Sequence, residues 1–404
     1  MELQEKLALI NENLAEVLNP ELIEQILAEG RRPRVYWGQS RFKIRNYCYI
    51  QTILTSLSGK ERQQPVGLTR DIFILLSVPA IKIAQFLSAG CDVVILLADI
   101  HGFLDSLKMP IELVESRVEY YRLAISWLLR AVGVSTDLKS LTFVLGSSYQ
   151  KSPEYVMDVY KLSSLISEHD AKKAGAEVVK QSNNSPLSGL LYPILQVLDE
   201  QYLNVDAQFG GLDQRKLFTA AKEWLPKLGY RERAHLLNEM VPGLQGGKMS
   251  SSDPDSKIDL LDPPNVIAKK IRKATAAPKV VEDNGILALV EFVLLPAAAL
   301  SGHKEFRVDR DKDNLEPLVY TDIKQLHEDY RNDILTPQLL KPAVTAGLNK
   351  ILKPIQEAYE ASLEWKEIAL RAYPPPAAKE KKVKNKGSQH PGLGKENNQN
   401  PSPA

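Results

Sequence analysis

The sequence predicts an α/β protein, a doubly wound parallel sheet followed by a second, mainly helical unit. Three observations carry that reading. Val93-Val94-Ile95-Leu96-Leu97 and Leu141-Thr142-Phe143-Val144-Leu145 are short apolar runs of the kind found in strands covered on both faces of a parallel sheet. Between them, residues 109–133, opened by Met109-Pro110 and closing near Leu128-Leu129-Arg130, read as a helix, so strand, helix and strand alternate. From about residue 262, Ile267, Ile271, Ile286, Leu289, Val293 and Leu294 mark helices, and strand-like runs become rare.

The remaining segments follow from local pattern. Residues 2–29 place Leu3, Leu7, Ile10, Leu14, Leu18, Leu22, Ile23, Ile26 and Leu27 at helical spacing, which predicts two amphipathic helices interrupted at Asn19-Pro20. Past Pro374-Pro375-Pro376, the lysines 379, 381, 382, 384 and 386 and then Gly, Asn, Gln and Pro show no apolar periodicity, which predicts a disordered basic tail over 374–404.

Bulk properties narrow the class. With 404 residues and 44% apolar side chains, two domains with real cores are expected, because chains usually split beyond about 250 to 300 residues. The net charge is only +1, from 51 Lys and Arg against 50 Asp and Glu, so the local distribution of charge has to decide on a nucleic-acid partner. Cys48 and Cys91 resemble neither a metal pair nor a disulfide framework, which predicts a reducing, cytoplasmic setting. The acidic start Met1-Glu2-Leu3-Gln4-Glu5 is unlike a secretory or transit leader, and no apolar run is long enough to predict a membrane span.

Chemistry concentrates in two stretches. Lys248-Met249-Ser250-Ser251-Ser252 follows the run Gly243-Leu244-Gln245-Gly246-Gly247. A glycine-flanked loop with one ammonium and several hydroxyls can close over a polyphosphate and stabilise charge on a departing pyrophosphate, whereas a helix-capping surface loop is the plainer alternative. Upstream, Tyr192, Gln196 and Asp199 are spaced i, i+4, i+7 and share one face of a helix, a polar face where a core helix would be apolar. In Gly210-Gly211-Leu212-Asp213-Gln214, the glycines admit close approach of a nucleotide to the backbone, and Asp213 can accept hydrogen bonds from ribose hydroxyls.

At these residues the chain resembles the class I tyrosyl-tRNA synthetases of the eukaryotic and archaeal branch, the fungal enzymes in particular. The resemblance runs through Val35-Tyr36-Trp37-Gly38, from Val78-Pro79-Ala80-Ile81-Lys82-Ile83-Ala84 to residue 260, and on through Val319-Tyr320-Thr321-Asp322 and Leu348-Asn349-Lys350-Ile351-Leu352-Lys353-Pro354-Ile355. It implies a Rossmann-like catalytic domain over 1–260 and a helical anticodon-binding domain over 261–373. Tyr36 and Asp199 would bind the substrate phenol, Tyr192 and Gln196 its ammonium, and Gln214 would lie near its carboxylate. ATP would meet Gly211, Asp213, Lys248 and Met249, with Mg²⁺ on its phosphates, and Lys248 with Ser250, Ser251 and Ser252 would carry catalysis. L-tyrosine, ATP and tRNA(Tyr) are the implied partners, no editing domain is expected, and the apolar excess between Phe103 and Val134 is either a two-fold dimer contact or ordinary core.

The chain departs from the family after Gly38. There the family carries a Thr/Gly-rich turn and a histidine signature that cradles the ATP phosphates, whereas residues 39–77 begin Gln39-Ser40-Arg41-Phe42-Lys43, contain no histidine and exceed the family spacing. A misplaced exon boundary or a retained intron would give such a segment. Phosphate cradling has no replacement in view, so weakened ATP binding is expected, with a catalytically impaired RNA-binding descendant as the alternative function. In the helical domain, Leu335-Thr336-Pro337-Gln338-Leu339 offers no identifiable base-reading residue. His101 either lines the pocket or is a histidine satisfied at a strand end. Asp170, Lys172, Lys173 and Glu177 read as a solvated helix face, and the Lys379 to Lys395 cluster reads both as a solubilising tail and as a salt-sensitive attraction to tRNA phosphates, with tRNA contact favoured.

Overall fold

A computed structural model of the chain describes residues 1–39, 73–105, 110–179, 186–247, 257–310 and 314–374. The loop Lys248 to Ser252, most of the 39–77 stretch and nearly all of the basic tail lie outside the described residues.

The N-terminal segment corrects the reading of two helices. Helix α1 (Leu3–Asn11) and helix α2 (Pro20–Ala28) form, but Leu14–Leu18 between them is a strand, β1. Spacing of i, i+4 puts two leucines on one face of a strand as well as of a helix, so periodicity alone leaves the choice open. Asn13 and Asn19, both left-handed with φ of 57° and 54°, turn the chain at either end of β1.

Strands β2 (Arg34–Gln39), β3 (Asp92–Leu97), β4 (Leu141–Leu145), β5 (Ala207–Gly211) and β6 (Ala234–Asn238) complete a six-stranded sheet in the order β1-β6-β5-β2-β3-β4. All pairs are parallel except β1 with β6. β3 is the buried strand expected from its apolar run, whereas β4 is an edge strand with Leu145 39% exposed. Strand order reverses between β2 and β5, which in folds of this kind marks the ligand crevice, at their carboxyl ends beyond Gly38 and Gly211. Helix α3 (Phe73–Ser88) fills one side of the sheet, where Phe86 meets Phe209 edge to face at 5.4 Å.

Short helices α4 (Asp99–Asp105) and α7 (Glu168–Ala174), with α6 (Pro153–Leu165), α8 (Ser188–Tyr202) and α9 (Arg215–Trp224), surround the crevice. Helix α5 (Ile111–Ala131) starts behind Pro110, as the sequence predicts, and buries Val114, Val118, Tyr120, Tyr121, Ala124, Ile125, Leu128 and Leu129. Much of the apolar excess there is ordinary core.

Beyond residue 260 come α10 (Pro264–Lys273), α11 (Gly285–Leu289), α12 (Leu295–Leu300), α13 (Ile323–Arg331), α14 (Pro337–Ala361) and α15 (Leu363–Ala372). Strands β7 (Phe306–Arg310) and β8 (Leu315–Tyr320) form an antiparallel hairpin that the sequence did not reveal. Only Phe306 and Val308 of β7 are buried, so no apolar run marks it. The hydrophobic core is continuous across residue 260. Helix α15 lies on α5, where Arg117 Nε donates to the Ala372 carbonyl at 3.0 Å and the Tyr120 ring meets Trp365 at a tilt and Tyr373 edge to face.

Candidate active site

Every described strand that ends at the crevice delivers a polar side chain to it. Tyr36 sits on β2, His101 in the first turn after β3, Tyr149 and Gln150 in the turn after β4, and Asp213 and Gln214 in the turn after β5. Helix α8 crosses these ends with the predicted polar stripe inward: Tyr192, Gln196 and Asp199 are 6%, 9% and 1% exposed. The sequence spacing thus placed three residues correctly on one buried face.

Asp199 is the centre of the cluster. Its Oδ1 accepts from Tyr149 Oη at 2.8 Å, Gln150 Nε2 at 2.8 Å and Tyr155 Oη at 3.0 Å. Its Oδ2 is buried without a hydrogen-bond partner. Burial raises the carboxyl pKa to about 7, against the pull of the Gln150, Tyr149 and Tyr155 hydrogen bonds and with some help from the neighbouring Glu200. His101 Nε2 stands 3.6 Å from Oδ2. Burial depresses the imidazole pKa to about 3, so the ring is neutral and this contact is not an ion pair.

Tyr36 reaches the same helix, but its hydroxyl is directed at the Gln196 carbonyl in a long hydrogen bond of 3.4 Å. Burial above all, and then the Asp199 charge, hold this phenol well above its ordinary pKa. Gln196 Nε2 donates to Gln214 Oε1 at 3.0 Å, which joins the helix stripe to the turn after β5. A side chain at Gly210 would come within 2.9 Å of Gln214 Cγ, and one at Gly211 within 2.8 Å of Asp213 Oδ1. Glycine there lets both polar residues fold back over the strand end.

The glycine run leading to Lys248 is a closed turn: Gly243 N–H donates to the Gly247 carbonyl at 3.0 Å, and Gly246 and Gly247 have φ of 80° and 61°. Thr275 N–H donates to the Leu244 carbonyl at 2.8 Å, so the base of this loop is anchored on the helical part.

Sequence reasoning missed Tyr149, Gln150 and Tyr155. For Tyr149 and Gln150 the only signal was position, immediately beyond a predicted parallel strand, and Tyr155, on the following helix α6, had none. Asp99 Oδ1 accepts the Ser147 N–H at 2.8 Å and so ties the turns after β3 and β4 together.

Comparison with known proteins follows the same lines. The family model described as tRNA synthetases class I (W and Y) matches residues 76–353, beginning where the atypical stretch ends. A tyrosine–tRNA ligase of Saccharomyces cerevisiae is 44% identical over 402 residues, covering 97% of this chain and 95% of the relative. One from Danio rerio is 48% identical over 383 residues, 95% of this chain, and the chain spans 64% of that relative's length. Among solved structures, a tyrosyl-tRNA synthetase from Archaeoglobus fulgidus, crystallised with L-tyrosine, superposes with a TM-score of 0.74 at 31% identity, covering 88% of this chain and 99% of that one. By sequence and by fold, the chain belongs to the class I tRNA synthetases for tryptophan and tyrosine, in the tyrosine–tRNA ligase branch.

Proposed function

We infer that the chain activates L-tyrosine with ATP and transfers it to tRNA(Tyr) in the cytoplasm, the compartment in the names of its relatives. The observation that carries the reading is Asp199, a fully buried carboxyl with one oxygen bonded by three donors and the other unpartnered, in the crevice where strand order reverses. A site built to bond a hydroxyl rejects the analogue that lacks it by roughly 10⁴ to 10⁵, a ratio for which the tyrosyl-tRNA synthetases are themselves the standard example.

In this proposal Tyr36 and Asp199 receive the phenol, Tyr192 and Gln196 the ammonium, and Gln214 lies beside the carboxylate. That carboxylate attacks the α-phosphorus of ATP in line, a new C–O–P bond forms, and pyrophosphate departs. The 3′-terminal ribose of the tRNA then takes the aminoacyl group. Gly211 and Asp213 would hold the nucleoside, and Lys248, Met249, Ser250, Ser251 and Ser252 would supply the ammonium, backbone and hydroxyl contacts to the phosphates. Mg²⁺ bound to the ATP phosphates would supply neutralisation of their charge. Residues 261–373 would contact the anticodon stem, and the segment from Phe103, which is exposed, to Val134 would supply a homodimer contact.

Amino-acid-dependent ATP–pyrophosphate exchange tests the reading. Tyrosine and not tryptophan should support exchange, and Lys248→Ala should lower it by roughly 10² to 10³. Unchanged turnover in that variant would remove the loop from the mechanism. A second reading, a noncatalytic tRNA-binding descendant, is favoured by the lack of histidine in residues 39–77. It requires tRNA binding without any exchange, whereas replacing 39–77 by a short Gly- and His-containing segment should restore ATP affinity under the first.

A further inference from the structure

Two buried polar atoms of the crevice face each other without partners. His101 Nε2 and Asp199 Oδ2 are both closed to solvent, neither makes a hydrogen bond, and they stand 3.6 Å apart. Native structures leave few such atoms orphaned, and a facing pair at the centre of a polar cluster asks what fits between them.

The chemistry of each atom is fixed by its neighbours. The Gln150 amide nitrogen donates to Asp199 Oδ1 at 2.8 Å, which identifies the nitrogen end of that amide. The same nitrogen lies 3.4 Å from His101 Nδ1. An amide nitrogen only donates, so Nδ1 is the acceptor and Nε2 carries the ring proton. The Tyr192 ring meets the imidazole edge to face at 4.8 Å and 88°, holding its plane. On the other side, three donors engage Asp199 Oδ1 and leave Oδ2 as the open acceptor.

A separation of 3.6 Å is too long for a direct hydrogen bond, yet an oxygen beside the gap can lie about 2.8 Å from both atoms. Such an oxygen must accept from Nε2–H and donate to Oδ2. A hydroxyl does both. An ammonium only donates, a carboxylate only accepts, and an aryl C–H does neither.

We propose that His101 is a specificity-determining residue whose Nε2–H donates to the phenol oxygen of the substrate while that phenol donates to Asp199 Oδ2. The assignment rests on the tyrosine reading of this site. It adds to Asp199 a neutral donor, so a bound hydroxyl is engaged at both its proton and its lone pair. Because both atoms are closed off in the free chain, an entering hydroxyl moves a neighbouring side chain aside and then meets two desolvated partners. A phenylalanine ring would leave both unpaired.

The test is direct binding of L-tyrosine and L-phenylalanine to the full chain by equilibrium dialysis, for the wild type, His101→Phe and His101→Gln. The first variant keeps a flat ring against Tyr192 without a donor, and the second restores one. The expected result is tyrosine affinity weakened roughly 10- to 100-fold in His101→Phe, phenylalanine affinity unchanged, and most of the loss recovered in His101→Gln. Equal losses for both amino acids, or unaltered tyrosine binding, would overturn the proposal while leaving the tyrosine site intact. A wild type with no preference for tyrosine over phenylalanine would instead overturn the reading of the site, and the proposal with it. Independently of any variant, ¹⁵N-histidine spectra of the wild type should show the Nε2–H resonance of His101 moving on addition of tyrosine and not of phenylalanine. A resonance that moves with neither, or with both, overturns the assignment.

Discussion

At Asp199 two opposed effects act on one carboxyl: burial lifts its pKa from 3.8 to about 7, and three hydrogen bonds pull it back. The folded chain therefore binds this proton more tightly than the unfolded one. The resulting stabilisation is complete below the ordinary carboxylate range and is lost as pH rises through about 7. Phenol binding to the ionised form has the opposite slope, so tyrosine affinity should fall as pH drops through the same value. Tyr155→Phe removes one of the donors that lower the pKa, and the midpoint should move upward. Tyrosine dissociation constants across about pH 5.5 to 8.5 would show this, and an identical midpoint in the two proteins would refute it. Helical spacing alone made Tyr192, Gln196 and Asp199 legible in the sequence. The partners of Asp199 come from segments about fifty residues upstream, and nothing in one dimension says that the turn after β4 and helix α6 converge on it.

Helix α3 contributes an amine to a place without solvent. Lys82, 2% exposed, donates to the carbonyls of Leu9 at 3.3 Å and Glu12 at 2.6 Å, which satisfies acceptors at the end of α1. Burial lowers its pKa to about 7, only partly offset by Glu12. With the folded pKa below the unfolded one, the unfolded chain binds more protons between about 7 and 10.5, so stability should rise with pH across that window and decline towards its lower end. Urea unfolding at several pH values should reveal that slope, and Lys82→Met should abolish it. A slope that survives the substitution would place its origin elsewhere. The sequence made α1, α2, α5 and α8 plain, because their apolar or polar stripes repeat at helical spacing. It misassigned β1, whose leucines fit either period, and it gave no sign of the β7–β8 hairpin, whose exposed positions mix Arg307 and Asp309 with Leu315 and Val319 and so break the apolar alternation.

For the molecule as a whole, the absence of a break in the core at residue 260 has a thermodynamic meaning. Trp365, 1% exposed, packs against Tyr120 of the sheet-bearing part and Tyr359 of the helical part. Trp365→Ala should cost about 3 to 5 kcal/mol, and calorimetry should find one transition moved to lower temperature in its entirety. Two separated transitions, with only one of them shifted, would mean that the parts melt independently. The doubly wound class was readable because apolar strands alternate with a helix, but the shared core was not, since it is made by residues distant in sequence. The sheet also has a temporal side. β1 pairs with β6 through Leu14↔Asn238 and Leu18↔His235, and Arg215 clasps Glu16 by two hydrogen bonds. During synthesis at about 5 to 20 residues per second, the first strand to leave the ribosome waits on the order of ten to forty seconds for its neighbour to be made. A nascent chain of this architecture carries an unmatched edge through most of its translation, and the oldest strand is among the last to settle.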